Sequence, residues 1–408
     1  ELKIIEFCSP NTNKPLHLGH IRNILLGDSV SKILAYSGYE IHKTQIINDR
    51  GIHICKSIVA WKLYGENSTP ESTGIKGDEF VGNYYVLFEK KHKEEVEELI
   101  SNGINKEEAV NQSNTMKLAK ETLKNWENGD KEVRDIWKMM NDWVYVGFEE
   151  TYNTLGVSFD KNYYESETYL LGKEIVNYGL ENNVFYKKED SSIWIDLTDD
   201  GLDEKLLLRS DGTSVYMTQD LGTAKQRIDD FPEIGGMVYT VGNEQDYHFQ
   251  VLFKILKRLG YKWANNLFHL SYGMVDLPTG KMKSREGKVI DADDLVLQLI
   301  ESVKETSQNL GKFQNDNNAI TEDTYRKIAL GALKYFILKV DPKKRILFNP
   351  EESIDLSGNT GPFIQYTYVR IHSILNKLEK VENSKIIKYK LNEKEKDTIK
   401  CINRYNDI

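Results

Sequence analysis

The first twenty residues of this 408-residue chain constrain its fold more than any other stretch. Residues 2–7 form an apolar run typical of a buried β-strand, and residues 19–36 carry apolar side chains at helical spacing. The loop between them contains two prolines and ends in His17-Leu-Gly19-His20. A helix N-terminus that follows such a loop suits an anionic phosphate, because free backbone N–H groups and the helix dipole point there. We therefore expect a phosphate site in which both histidines donate and the glycine admits a flat base.

Two strand–loop–helix units indicate an α/β fold. After the first helix, residues 40–47 read as a second strand, and a strand–helix–strand unit with a right-handed crossover implies a parallel sheet. Later in the chain, residues 236–241 form another apolar run, which leads into the polar loop 242–248 and a helix over 249–259. Together these units predict a doubly wound parallel sheet that binds its ligands beyond the carboxyl ends of the strands.

The rest of the chain suggests additions to this sheet. Insertions are expected at about residues 66–130 and 162–208, the first of them rich in lysine and glutamate, as solvated helix faces usually are. The predicted catalytic domain spans residues 1–318, and residues 319–408 have a helical pattern typical of a separate domain. Because the chain begins directly in a strand and ends within a helical pattern, we expect it to be truncated at both ends.

Composition excludes some classes of protein. The three cysteines are far apart in the sequence, which indicates neither a disulfide framework nor a zinc site, and no apolar run approaches the roughly 20 residues of a membrane span. We expect a cytoplasmic protein, although a first residue other than methionine leaves an organellar copy open. The net charge of −9 alone argues against a nucleic-acid partner, but a local basic face is compatible with an acidic total.

A group of carboxylates suggests which ligand binds in the crevice beyond the carboxyl ends of the strands. Tyr216 and Asp220 lie one turn apart in a predicted helix, and Glu6 ends the first strand. Two fixed carboxylates beside a phenol suit a planar guanidinium, which they can hold with charge-assisted, forked hydrogen bonds. Asn11 and Gln245 offer neutral donors and acceptors for an amino-acid head group. From these residues alone we infer an enzyme that activates a cationic amino acid with ATP.

A basic loop is the last candidate element of the predicted site. Lys281-Met282-Lys283 lies between glycines, and its ammonium groups could neutralise charge that develops on a triphosphate. An exposed basic hairpin without function is the alternative for this loop in isolation.

These motifs together resemble the class I aminoacyl-tRNA synthetases and, specifically, the arginyl-tRNA synthetase family. The similar stretches, in chain order, are Glu6-Phe-Cys-Ser-Pro-Asn11, His17-Leu-Gly-His20, Gly38-Tyr39, Gly82-Asn-Tyr-Tyr85, Asp211-Gly-Thr, Tyr216-Met-Thr-Gln-Asp220, Val241-Gly-Asn-Glu-Gln245-Asp-Tyr-His248, Gly273-Met-Val, Lys281-Met-Lys-Ser-Arg-Glu-Gly287 and Gly358-Asn-Thr-Gly-Pro-Phe-Ile-Gln365-Tyr-Thr-Tyr-Val-Arg370. The resemblance implies a Rossmann-like catalytic domain followed by an α-helical anticodon-binding domain.

The resemblance also implies the reaction and its partners. L-arginine would be activated with ATP to arginyl-adenylate and then transferred to the 3′ end of tRNA(Arg), with release of pyrophosphate and AMP. Mg²⁺ would accompany ATP, with neither zinc nor a protein-only metal site, and the enzyme would be a monomer. The family's need for tRNA before activation follows from the resemblance alone.

Residue roles follow from the same resemblance. The arginine-binding residues would be Glu6, Ser9, Asn11, His20, Tyr216, Asp220 and Gln245. The ATP-binding residues would be His17, Gly19, His20, Gly242, His248, Lys281, Met282 and Lys283. Catalysis would fall to His17, His20, Lys281 and Lys283, and contacts with tRNA to Gln365, Tyr366 and Arg370.

The basic loop departs from the family pattern, and other functions compete. The order Lys-Met-Lys-Ser-Arg permutes the common Lys-Met-Ser-Lys-Ser, which leaves open whether Lys281 or Lys283 is dominant. A nucleotidylyltransferase also uses a His-x-Gly-His loop, but the insertions, the helical domain and the carboxylate pair disfavour it. A glutamyl, lysyl or cysteinyl synthetase and a binding module with a decayed site are the remaining alternatives. Missing cysteine ligands and the intact motif residues argue against the cysteinyl enzyme and the decayed module, respectively.

Overall fold

Strand β1 (Leu2–Glu6) lies at the centre of a parallel sheet. The computed structural model describes residues 1–277, 290–309, 321–377 and 390–405, in two compact units, 1–362 and 363–408. The remaining strands of the first unit are β2 (Glu40–Ile47), β3 (Lys161–Tyr164), β4 (Tyr186–Lys187), β5 (Ile193–Ile195), β6 (Lys205–Leu208), β7 (Ile234–Gly242), β8 (Leu267–Tyr272), β9 (Val275–Asp276) and β10 (Ile346–Leu347).

Helices cover both faces of the main sheet. Those of the first unit are α1 (Leu18–Tyr36), α2 (Ile52–Tyr64), α3 (Pro70–Thr73), α4 (Gly77–Ser101), α5 (Lys106–Gln112), α6 (Asn114–Glu127), α7 (Lys131–Leu155), α8 (Glu165–Thr168), α9 (Gly172–Glu181), α10 (Tyr216–Asp230), α11 (Asp246–Arg258), α12 (Ala292–Asn309), α13 (Glu322–Leu338) and α14 (Pro350–Ser353). Short 3₁₀ turns occur at Thr198–Asp200, Asn243–Gln245 and Lys262–Asn266.

The main sheet has the order β3-β2-β1-β7-β8, and each neighbouring pair is parallel. From β1 the chain moves outward through α1 to β2, whereas β7 and β8 extend the sheet in the other direction through α11. The strand order therefore reverses between β1 and β7, which is the topological switch point where ligands of open α/β sheets bind. The predicted doubly wound sheet is confirmed.

Alternation along β1 explains how the two cores form. Ile4 and Ile5 are both fully buried, but they point to opposite faces of the sheet, as successive residues of a strand do. Ile5 packs in a core with α1, α2, α4, α7, α12 and α13. Ile4 packs in a second core with α9, α10, α11 and the small antiparallel sheet β4-β5-β6.

Helices and strands of the first unit lie within both of the expected insertions. Helices α4, α5 and α6 occupy the first insertion, and β4, β5 and β6 lie in the second. Strand β3 belongs to the main sheet although it overlaps the expected start of the second insertion. Helix α13 packs in the core of the first unit, whereas the predicted boundary at residue 319 assigns it to the C-terminal domain.

The second unit, residues 363–408, contains most of α15 (Gly361–Lys377) and all of α16 (Glu393–Asn403). From Phe363 onward, the α15 side chains are largely exposed, including several large apolar ones. A capping box at Asn392 opens α16, in which the Asn392 side chain accepts from the backbone N–H of Glu395 and the Glu395 carboxylate accepts from the backbone N–H of Asn392.

Candidate active site

Two loops leave the sheet at the switch point. Residues 7–17 follow β1, and residues 243–245 follow β7, which ends at Gly242. Because β1 and β7 are adjacent and parallel, both loops emerge at the same edge of the sheet. The side chains that bound this crevice come from these loops and from helices α1, α8, α10 and α11.

The histidine pair is held by the first turn of α1. The backbone N–H of Gly19 donates to Nδ1 of His17 at 3.1 Å, and the backbone N–H of His17 donates to Nδ1 of His20 at 3.1 Å. These bonds form a capping box, and they bring the ring centroids to 3.9 Å from each other. Because each Nδ1 accepts a hydrogen bond, a neutral ring must carry its proton on Nε2.

Burial keeps both rings neutral. Burial, together with the charge of Lys14, lowers the pKa of His17 to about 4. Burial also lowers the pKa of His20 well below its ordinary value, and His17 and Lys14 lower it further. At pH 7 the crevice therefore contains two neutral imidazoles, each with an Nε2–H donor.

Lys14 is a cation that the sequence reasoning did not include in the site. Its side chain is partly buried, which lowers the pKa of its ammonium group, and within the described residues it makes no hydrogen bond or ion pair. The signal that could have found it is its position, three residues before the first histidine in a loop already interpreted as phosphate-binding.

The turn after β1 is fixed by Asn23 of α1. Cys8 has a left-handed backbone (φ 71°), and its N–H donates to Oδ1 of Asn23 at 2.5 Å. Nδ2 of Asn23 donates in turn to the backbone oxygen of Thr240 at 2.7 Å and to the Tyr272 hydroxyl at 3.0 Å. One amide thus joins α1, the first loop, β7 and β8.

The middle of the first loop extends the sheet. Asn11 forms a parallel bridge with Asn48, and its side chain is exposed. Ser9 donates through Oγ to Oε1 of Glu6 at 3.4 Å. On the other loop, Gln245 is exposed and directly precedes α11. The predicted head-group residues Ser9, Asn11 and Gln245 thus lie on the two loops that flank the switch point.

Glu6 contacts an arginine of the protein itself. Its carboxylate forms an ion pair with the buried guanidinium of Arg227, which lies 5.2 Å from the Tyr163 ring and 5.5 Å from the Tyr239 ring. Burial raises the pKa of Glu6. The adjacent cavity is lined by both Glu6 and Asp220, but its volume of about 20 Å³ suits one water molecule rather than a guanidinium. The expected direct contact of Glu6 with the substrate stays a prediction.

Asp220 lies on α10 with its carboxylate 42% exposed. Its Oδ2 is 2.6 Å from Nε2 of His248, a residue expected to bind ATP but located here beside the predicted arginine pocket. Tyr216 begins α10 one turn earlier and is 80% exposed. The tyrosine and the aspartate therefore place solvent-accessible polar groups on one face of the same helix.

Glu165, at the start of α8, is a carboxylate near Asp220 that the sequence reasoning did not include in the site. Its side chain is half-buried, and burial raises its pKa to about 7. Arg50 lowers this pKa, whereas the negative charges of Asp49 and Asp220 raise it. Glu165 and Asp220 therefore lie near enough to interact electrostatically. The signal was weak, because Glu165 belongs to a stretch interpreted as an insertion with many other acidic residues.

The basic loop and the tRNA-contact candidates lie elsewhere in the chain. Lys281, Met282 and Lys283 lie outside the described residues, so their expected roles stay predictions. The chain that follows contacts the first loop: the backbone N–H of Ala292 donates to the oxygen of Leu16 at 2.8 Å.

Of the candidates for tRNA contact, all three lie on α15, in the second unit. Tyr366 is 41% exposed, and the Arg370 guanidinium lies 5.7 Å from the centre of its ring. Gln365 precedes Tyr366 in the same helix.

The described residues contain neither a metal-binding cluster nor a membrane-spanning helix. Across residues 1–277, 290–309, 321–377 and 390–405, no cluster of three or more His, Cys, Asp or Glu side chains is arranged to hold a metal ion. In the same part of the chain, no helix combines the length and apolar character needed to cross a membrane.

The fold and the crevice are those of a class I aminoacyl-tRNA synthetase. A family model described as tRNA synthetases class I (R), catalytic domain, matches residues 2–349. The structure is similar to that of Thermus thermophilus arginyl-tRNA synthetase, with a TM-score of 0.79 over 100% of this chain and 69% of that chain, at 22% sequence identity.

Two sequence relatives are arginine–tRNA ligases. The arginine–tRNA ligase of Flavobacterium psychrophilum is 58% identical over 405 residues, which cover 99% of this chain and 67% of that protein. The arginine–tRNA ligase of Bacteroides thetaiotaomicron is 61% identical over 376 residues, which cover 92% of this chain and 63% of that protein. The chain thus spans about two thirds of the length of these relatives. It belongs to the arginyl-tRNA synthetase family, the arginine–tRNA ligases.

Proposed function

We propose that this chain binds L-arginine and ATP in the crevice between β1 and β7, forms arginyl-adenylate there and transfers the arginine to the 3′ end of tRNA(Arg). The observation that carries the proposal is the pairing of two kinds of group at one switch point. The electrostatically coupled carboxylates Glu165 and Asp220 suit a cationic side chain, and the neutral histidines suit phosphates.

The substrate guanidinium is held by Glu165 and Asp220, with the Tyr216 hydroxyl as a further partner. The negative charge of Asp220 raises the pKa of Glu165, and a cation placed between the two carboxylates relieves this repulsion. A guanidinium also offers forked donors to both groups. Glu6 keeps its expected place in the arginine pocket, where it lines the same cavity as Asp220 and its ion pair with Arg227 holds its carboxylate in position.

The other groups follow the two loops. Ser9, Asn11, His20 and Gln245 bind the α-amino and carboxylate end of arginine. The Nε2–H groups of His17 and His20 and the ammonium of Lys14 face the phosphates of ATP, and Gly19 and Gly242 leave space for the nucleoside. Lys281, Met282 and Lys283 keep their expected place at the triphosphate.

The reaction needs positioning and charge stabilisation rather than a protein nucleophile. A carboxylate oxygen of arginine attacks the α-phosphorus and forms the new P–O bond, while the bond to the β-phosphate breaks and pyrophosphate leaves with the electron pair. A 3′-terminal ribose hydroxyl of tRNA then attacks the carbonyl carbon, loses its proton and displaces AMP. Neutral Nε2–H donors can follow the negative charge on the phosphate without exchanging protons at pH 7.

Mg²⁺ enters with ATP, whose phosphate oxygens are the ligands that this cation prefers, and it supplies additional charge neutralisation. The described residues offer no protein-only group to hold it. Gln365, Tyr366 and Arg370 contact tRNA, and the enzyme acts as a cytoplasmic monomer.

The proposal is tested by ATP–pyrophosphate exchange with each of the twenty amino acids, with and without tRNA(Arg). We expect exchange with arginine only, and only when tRNA is present. Exchange that lysine or glutamate drives would refute the assignment of the amino acid.

A matched pair of variants tests the pocket. Asp220→Asn removes a charged hydrogen-bond acceptor, which is worth about 1.5–3 kcal/mol, so the Kd of arginine should rise about 10- to 100-fold while that of ATP changes little. Asp229→Asn, an exposed neighbour on the same helix that pairs with Lys225, is the control and should change neither constant. An unchanged Kd of arginine in Asp220→Asn would remove Asp220 from the pocket.

A further inference from the structure

Asp49 is a buried carboxylate that the proposed reaction does not use. It follows β2 and is 1% exposed. Both of its carboxylate oxygens accept hydrogen bonds from Ser166: the backbone N–H donates to Oδ1 at 2.8 Å, and Oγ donates to Oδ2 at 2.7 Å. The Tyr145 hydroxyl donates to Oδ2 at 3.0 Å. A buried carboxylate with three donors is held in one orientation.

The backbone of Asp49 is fixed as well. Its carbonyl oxygen accepts from Nε1 of Trp137 at 2.6 Å and from Nδ2 of Asn141 at 3.2 Å, both on α7. Five hydrogen bonds thus join the end of β2 to α7 and α8 through one residue. Helix α8 is only four residues long, so its position depends on such tertiary contacts rather than on its own helical bonds.

The bond to Ser166 acts directly on its neighbour Glu165. The N–H of Ser166 belongs to the peptide unit that joins the two residues, so fixing this group fixes the plane on which the Glu165 α-carbon lies. Arg50, the residue after Asp49 in the chain, also acts on this glutamate, since its guanidinium lowers the Glu165 pKa that burial raises. Arg50 is itself held, 3.9 Å from the Tyr169 ring centre and 3.0 Å from Glu127.

We propose that Asp49 is a positioning residue for arginine recognition, which acts through Ser166 to hold the Glu165 carboxylate opposite Asp220. The inference rests on the proposed function, in which Glu165 and Asp220 bind the guanidinium. Asp49 touches neither substrate: it fixes the geometry that lets Glu165 bind a guanidinium with both oxygens. Asp49 thereby couples selection of the amino acid to the packing of α7 against the sheet.

A double-mutant cycle separates this role from a purely structural one. Calorimetry on the 408-residue chain measures the Kd of arginine and of ATP for Ser166→Ala, Glu165→Gln and the double variant. Ser166→Ala removes one hydrogen bond to Asp49 but keeps the backbone N–H, so the fold is expected to survive. We expect it to weaken arginine binding about fivefold, with ATP binding within about twofold of wild type. In the Glu165→Gln background, Ser166→Ala should add nothing.

The controls fix the interpretation. Ser158→Ala, at an exposed serine whose Oγ accepts from Lys43, should leave both constants unchanged. Asp49→Asn keeps an acceptor for only one of the two Ser166 donors, and it should weaken arginine binding more than Ser166→Ala does. If Asp49→Asn fails to fold, the double-mutant cycle built on Ser166→Ala still tests whether Asp49 acts through Glu165.

Three outcomes would overturn the inference, and they are distinguishable. An equal loss of arginine affinity from Ser166→Ala in both backgrounds would mean that Asp49 does not act through Glu165, and would leave the proposed function standing. No loss of arginine affinity in Ser166→Ala would have the same meaning. Unchanged arginine affinity in Glu165→Gln would instead refute the guanidinium pair and, with it, the arginine pocket of the proposed function.

Discussion

Arginine binding should depend on pH through Glu165. Burial and the nearby charges of Asp49 and Asp220 raise the pKa of this carboxyl to about 7 in the free protein. Its ionised form is the one that can pair with a guanidinium, so bound arginine must lower this pKa. By linkage, the affinity for arginine is highest above pH 7, where Glu165 is ionised, and it decreases as the pH falls below 7.

The magnitude follows from the fraction of molecules in the competent state. With a pKa of about 7, Glu165 is ionised in roughly nine molecules of ten at pH 8 and in roughly one of ten at pH 6. The apparent Kd is the intrinsic Kd divided by that fraction, so arginine should bind about tenfold more weakly at pH 6 than at pH 8. This difference corresponds to about 1.4 kcal/mol.

Calorimetry from pH 6 to pH 8 measures the effect, and two variants assign it. His17 and His20 remain neutral throughout this range, because burial places both pKa values below it. Asp291, whose pKa burial raises to about 7, titrates in the same range, so Asp291→Asn should retain the pH dependence of arginine binding. Glu165→Gln should bind arginine weakly and equally across the range. A flat wild-type profile, or an unchanged slope in Glu165→Gln, would refute the reasoning.

Three further predictions concern the histidine loop, the core and the thiols. His17→Asn keeps an N-cap acceptor and should retain the wild-type unfolding free energy, whereas His17→Ala should lose about 1 kcal/mol. Both variants should reduce the rate of ATP–pyrophosphate exchange about 100-fold, because both remove an Nε2–H donor. Full activity in His17→Asn would contradict the role of His17 as a donor to the phosphates. Arg22, fully buried, donates to three backbone oxygens, so Arg22→Met should cost about 3–5 kcal/mol in urea unfolding, and a cost below about 1 kcal/mol would contradict its role. A thiol reagent should modify Cys401 alone in the native chain and all three cysteines in denaturant, because the other two are buried with pKa values raised to about 12; a second fast-reacting thiol would disprove this.

The local parts of the fold were predictable. The first strand, the first helix and the second strand lie within a residue or two of their predicted bounds, because apolar spacing and glycine mark such ends in the sequence itself. The parallel arrangement of the two strands followed from the right-handed helical crossover that connects them. The same local reasoning located the histidine pair at a helix N-terminus, because both features lie within a few residues of each other, whereas the role of the pair in phosphate binding stays a prediction.

The charged contacts of the site could not be predicted from local sequence patterns in the same way. Glu6 and Arg227 are far apart in the sequence, and only the docking of α10 onto the sheet brings them together. Asp49 resembles a polar loop residue until α7 and α8 bury it. Glu165 is one of many acidic residues, and its raised pKa exists only in the folded protein. Ionic partners are chosen by tertiary packing, which spacing along the chain does not encode.

The strand order also has a consequence for synthesis on the ribosome. Strand β2 is complete by Ile47, whereas β7, the other neighbour of β1, does not begin until Ile234. Until those later residues emerge, the nascent chain has the histidine loop without its opposite wall, and one side of β1 lacks its partner strand. An unpaired strand edge invites association with other chains. The central strand of this enzyme is therefore made long before its second neighbour, and its edge stays open until β7 has emerged.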